Sequence, residues 1–123
     1  MENLERKESP QLIAADKVKG TEVYNASDEN LGTVEEVMID KRSGKVAYAV
    51  MSFGGFLGIG EKYHPLPWGM LQYDPEQDGY RVSLSREQLE GAPTYSRGET
   101  VDYTDKAWNT RVHDYYNVPY GMM

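Results

Sequence analysis

Gly54-Gly55-Phe56-Leu57-Gly58-Ile59-Gly60 sets three bulky apolar residues among glycines and runs directly into Glu61-Lys62-Tyr63-His64-Pro65-Leu66-Pro67-Trp68. The second half decides how the first is read. A phosphate-binding glycine loop exposes backbone N–H groups and hands the anion to the start of a helix. Pro65 and Pro67 lack an N–H and push the residues before them toward extended geometry, so no helix begins there. The stretch therefore reads as a wide turn between two strands, with Phe56, Leu57 and Ile59 plugging the end of a barrel.

The flanking sequence has the same character. A first strand is expected from about Thr21 in Gly20-Thr21-Glu22-Val23-Tyr24. The polar turn Asn25 to Asn30 then leads into Leu31-Gly32-Thr33-Val34-Glu35-Glu36-Val37-Met38-Ile39-Asp40. Lys41-Arg42-Ser43-Gly44 forms a tight connection, with glycine where a left-handed backbone is needed, to the most apolar strand, Val46 to Phe53. The prolines of the next strand belong at an end, an edge or a bulge, because proline donates no ladder hydrogen bond. Met70 to Tyr73 and Tyr80 to Leu84 bracket an acidic turn and imply another hairpin. Ser85 with Gln88 signals a single capped helical turn, stopped by Gly91 and Pro93. Past Pro93 the chain is polar and tyrosine-rich, and Thr104 or Asp105 is placed to cap a short helix over Lys106 to Val112. The expected organisation is a tail over residues 1–11, an all-β barrel over 12–93, and a short helical, aromatic-rich extension over 94–123. That extension docks on the barrel or on a partner subunit, since Trp108 and its many tyrosines need cover.

At 123 residues the chain supports one domain with a real core. Its formal charge of −7 disfavours direct contact with nucleic-acid phosphates, and Lys41, Arg42 and Arg86 are too dispersed among acids to form an RNA-binding face. Without cysteine there is no disulfide, thiolate nucleophile or zinc–thiolate site. The charged first ten residues lack a secretory apolar run, and no stretch approaches membrane-spanning length, so a cytoplasmic location is expected. Asn25-Ala26-Ser27 is then a chance match to a glycosylation acceptor.

Few residues suggest chemistry. Asp74-Pro75-Glu76-Gln77-Asp78-Gly79 resembles the front of a calcium loop, but Ser85 stands where a bidentate glutamate is required, so it reads as an acidic hairpin turn. His64 and His113 are the only histidines, and the spacing of Ser52, Ser83, Ser96, Asp40 and Asp114 singles out no triad with either. His64 reads as a hydrogen-bonded structural residue and His113 as part of an interface. Glu35 and Glu36 are strand neighbours expected on opposite faces, hence unable to cooperate as acid and base. No catalytic residue, cofactor or metal ligand is assigned.

The ordered set of motifs, from Gly20-Thr21-Glu22-Val23 through Glu29 to Asp40, Ser43 to Val50, the glycine loop and His64-Pro65-Leu66-Pro67-Trp68, resembles the PRC-barrel family over about Leu12 to Leu84. That family includes the barrels of the photosynthetic reaction-centre H subunit and of the ribosome-maturation factor RimM. The resemblance implies a small, partly open antiparallel β-barrel, mostly meandering, acting as a non-enzymatic adaptor. Self-association as a homodimer is expected, with Phe56, Leu57, Ile59, Trp108, Tyr115, Tyr116 and Tyr120 as candidate interface residues. A larger protein assembly is a further possible partner. The alternatives are a ligand-binding or enzymatic barrel with its mouth near Tyr63, His64 and Trp68, and a ribosome-assembly factor contacting a basic protein.

Overall fold

A computed structural model describes residues 11–53, 62–96, 99 and 101–118. Phe56, Leu57, Ile59 and Tyr120 lie outside them. A short helix, α1 (Ala15–Val18), precedes strands β1 (Glu22–Tyr24), β2 (Asn30–Ile39), β3 (Val46–Phe53) and β4 (Lys62–Pro67). A 3-10 turn over Trp68–Met70 leads to β5 (Gln72–Asp74) and β6 (Gly79–Arg81), followed by helix α2 (Arg86–Glu90), strand β7 (Tyr95–Ser96) and helix α3 (Lys106–Tyr116). Among the described residues the strands form one open sheet in the order β5-β6-β1-β2-β3-β4-β7. Its neighbours are antiparallel except β1 and β6, which run parallel through Val23↔Tyr80 and Tyr24↔Arg81.

Local chemistry accounts for the connections. Gly44 takes a φ of 76° in the β2–β3 turn, where the Asp40 carboxylate accepts from the N–H groups of Arg42 and Ser43. Those two hydrogen bonds, the Ser43 one first, hold the Asp40 carboxyl below its ordinary range. Gly32 is required for a different reason: a Cβ there would lie 1.9 Å from the carbonyl oxygen of Ser52 on β3. Ser85 caps α2 with the complete reciprocal box, its hydroxyl accepting from Gln88 N–H while the Gln88 side chain accepts from Ser85 N–H. The Asp74–Gly79 turn is tied down by Arg81, whose guanidinium reaches both Asp74 and Asp28 at 2.7 Å. The Arg81 hydrogen bond is the main cause of the lowered Asp74 pKa. The acidic turn is thus closed by an internal cation.

One face of the sheet forms the core. Val23, Leu31, Val34, Ala49, Met51, Leu66, Tyr80 and Val82 pack there with Val18 of α1 and Leu89 of α2. Five consecutive β3 residues, Tyr48 to Ser52, are buried, which requires cover on both faces. The second cover comes from the segment after Pro93. Pro67 is the last residue of β4 and Pro65 lies within the strand, opposite Tyr48 and Val50 respectively. Because alternate pairs of an antiparallel ladder exchange hydrogen bonds, their missing N–H groups fall on the side away from β3. β7 pairs on that side with only Lys62 and Tyr63.

Candidate functional site

The outer face of β2, β3 and β4 meets the C-terminal segment in a polar, aromatic layer. Asp105 caps α3 by accepting from the N–H groups of Ala107 and Trp108. The helix runs through Tyr116, four residues beyond the expected end, and stops at Asn117, whose φ of 59° is left-handed. The extra turn has a packing cause: Asn109, Val112, His113 and Tyr116 all fall on one buried stripe. The Tyr48 hydroxyl donates to Asn109 Oδ1 at 2.6 Å, and Asn109 Nδ2 donates to the carbonyls of Tyr103 and Asp105 at 2.7 and 3.0 Å. The Tyr48 ring contacts Tyr103 and, edge-on, His113. Farther along the sheet Tyr63 packs on Tyr95 with ring centroids 5.5 Å apart. Burial raises the hydroxyl pKa of both Tyr95 and Tyr103, with Glu36 adding in the same direction.

Three outward features remain on this side. Between the end of the β2–β3 hairpin and the start of α3, a cleft of about 220 Å³ is lined by Met38, Ile39, Ala47, Tyr48, Tyr103 and Asn109 with Asp40. A second cleft, about 260 Å³, is lined by Lys19, Glu35, Glu36, Val50, Tyr63, Tyr95 and Glu99. The third is a stripe on α3 itself: Trp108, Arg111 and Tyr115 recur at helical spacing, with the Arg111 guanidinium 4.8 Å from the centre of the Trp108 ring.

The sequence-derived candidates separate in the structure. Trp108 is half-buried, and its indole N–H is enclosed without a hydrogen-bond partner. Tyr115 is 41 % exposed and its hydroxyl donates to the Gln88 carbonyl. Tyr116 is only 9 % exposed and belongs to the core of its own chain; burial raises its hydroxyl pKa. Tyr63, His64 and Trp68 do not converge on one mouth. Strand alternation sends Tyr63 outward to Tyr95 and His64 inward, edge-on to Phe53, while Trp68 packs on Tyr80. His64 is 1 % exposed but is not the fully hydrogen-bonded histidine expected. Its Nδ1 has no partner, because its surroundings include Phe53 and the cross-strand Met51, and burial pushes its pKa down to about 4.

The carboxylate pair is also corrected. The β2–β3 register shifts between Val34 and Glu36, so Glu35 is the extra residue of a β-bulge. Both Glu35 and Glu36 therefore line the same cleft instead of opposite faces.

The PRC-barrel domain family matches residues 10–89, which take in α1, six of the seven strands and most of α2. The chain belongs to the PRC-barrel family. The open, mostly antiparallel seven-stranded sheet fits that membership, and PRC barrels are general modules often found in protein-interaction or assembly contexts. The outer aromatic layer, by contrast, draws on β7 and α3, which lie beyond the matched residues of the PRC barrel. No curated protein matches the chain. Among the described residues no helix is long and apolar enough to cross a membrane. Sequence reasoning missed the Tyr48–Asn109–Tyr103 layer, although the spacing of Asn109, Val112, His113 and Tyr116 carried its signal.

Proposed function

We propose that this PRC barrel is a non-enzymatic interaction module of the cytoplasm that pairs with a second copy of itself through the outer stripe of α3. The observation that carries this reading is the trio Trp108, Arg111 and Tyr115 on the flank of a helix whose buried stripe is already committed to its own barrel, with Trp108 half-buried against that core and Arg111 and Tyr115 exposed. Trp, Tyr and Arg are the residues most enriched among those that dominate binding energy at protein interfaces. A two-fold pairing needs only one self-complementary patch, and a helix rigidly anchored on its inner side presents such a patch without an ordering cost on binding. The non-enzymatic part is supported by the burial of both histidines, each 1 % exposed and so withdrawn from any substrate in solvent. The cytoplasmic part is supported by a cysteine-free composition that needs no oxidising compartment.

Light scattering after gel filtration tests the pairing. The full chain at tens of micromolar should run at twice its 14.0 kDa mass, and Trp108→Ala should weaken association at least tenfold, about the 1.4 kcal/mol expected for losing a central aromatic contact. A full-length protein that stays monomeric throughout that range sinks the pairing.

A further inference from the structure

We infer that the cleft beside the β2 bulge is a receptor for a lysine or arginine side chain of a basic partner protein, which deepens the interaction-module reading by naming the chemistry of a contact. The bulge brings Glu35 and Glu36 to one wall. The Tyr63–Tyr95 ring pair supplies another, with the buried Val50 behind them. Glu99 and Lys19 complete the lining, leaving three carboxylates against one ammonium at the cleft.

These groups suit an organic cation for reasons that do not reduce to net charge. Among the described residues no hydrogen bond or ion pair occupies the carboxylates of Glu35 and Glu36. Glu99 uses one oxygen to accept from the Ser96 N–H. The negative potential reaches the aromatic wall, where Glu36 adds to the burial that keeps the Tyr95 hydroxyl protonated. A cation against the face of a tyrosine gains from the ring quadrupole, and the methylene stem of Lys or Arg matches the half-buried Tyr63 and Tyr95 rings. About 260 Å³ holds one long side chain and is small for a folded segment or a large metabolite. The overall charge of −7 would draw a basic partner toward the chain.

The test follows backbone amide chemical shifts of the full ¹⁵N-labelled chain during titration with lysine and arginine pentapeptides, with a glutamate pentapeptide as control and spermidine as the free-amine arm. The basic peptides should shift Glu35, Glu36, Val50, Tyr63 and Tyr95. Glu36→Gln and Tyr63→Leu should each weaken the fitted affinity about fivefold, whereas Glu76→Gln, on the acidic turn between β5 and β6, should leave it unchanged. Shifts confined to other surfaces, equal weakening by Glu36→Gln and Glu76→Gln, or no binding at millimolar peptide would each overturn the assignment. Spermidine binding as tightly as the peptides would replace a protein side chain by a free amine and also overturn it. Because pairing of the chain is read separately by light scattering, a negative peptide titration with an intact dimer removes only the cation site.

Discussion

Acidification should expose the cost of keeping His64 neutral. The ring is 1 % exposed with an unpartnered Nδ1, and burial lowers its pKa from 6.5 to about 4. In the unfolded chain the imidazole takes up a proton as pH falls below 6.5; in the folded protein it resists until about pH 4. The unfolded state therefore binds more protons throughout that window, and stability present above pH 6.5 is lost on the way down. At pH 5 the linkage is about 2 kcal/mol, rising toward about 3 kcal/mol below pH 4. In a domain of this size 2 kcal/mol corresponds to a fall in Tm of roughly 8 °C. Urea denaturation at pH 8 and pH 5 should show the drop in the natural chain, while His64→Leu, an apolar replacement for a ring in apolar surroundings, should flatten it. The carboxyl groups of Glu29, Asp40, Asp74 and Asp102, all held below their ordinary range by hydrogen bonds, lose their contributions as pH falls through the carboxylate range, from about 4.5 downward and so below the pH 8 to 5 comparison. Equal losses in His64→Leu and the natural chain between pH 8 and 5, or an NMR titration placing His64 near 6.5, would refute the reasoning.

Gly32→Ala forces a Cβ onto the Ser52 carbonyl oxygen, 1.9 Å away, and should cost about 3 kcal/mol or more in urea unfolding, since the clash is with backbone. Tyr48→Phe leaves Asn109 Oδ1 without its buried donor and should cost about 1 kcal/mol, with hydrogen exchange quickening first in α3. Asp105→Ala removes the cap of that helix at a similar cost of about 1 kcal/mol, whereas Asp105→Asn should retain most of it; equal losses in both would point away from capping.

Elements built from neighbouring residues were readable in the sequence, and those depending on distant partners were not. The β2–β3 hairpin follows from Ser43-Gly44 between two apolar runs, and α2 follows from Ser85 and Gln88 alone. The parallel pairing of β1 with β6 joins segments more than fifty positions apart and has no local signature. The bulge at Glu35 left only a faint local trace, the two adjacent polar residues between Val34 and Val37 that interrupt apolar–polar alternation, and such a doublet is equally common in unbulged strands with an exposed face. Consequently a pair of glutamates expected to point apart came to share a cleft. The cap at Asp105 signals the helix but not its length, since the polar residues Asn109 and His113 obscure the buried stripe that extends it to Tyr116. For the same reason the extension's need for cover was evident while its chief anchor, Tyr48 on the most apolar strand, was not.

The two prolines of β4 also restrict how this molecule meets others. Along Pro65 to Pro67 the border of the sheet offers carbonyls but only the interrupted donors of a strand that has surrendered two N–H groups. An incoming strand finds no continuous template there, so growth of the sheet from one molecule into the next is blocked at that border. Whatever assembles with the barrel on this side must be recognised by its side chains, face against face, and specificity rests on shape and charge rather than on main-chain pairing that any extended peptide could supply.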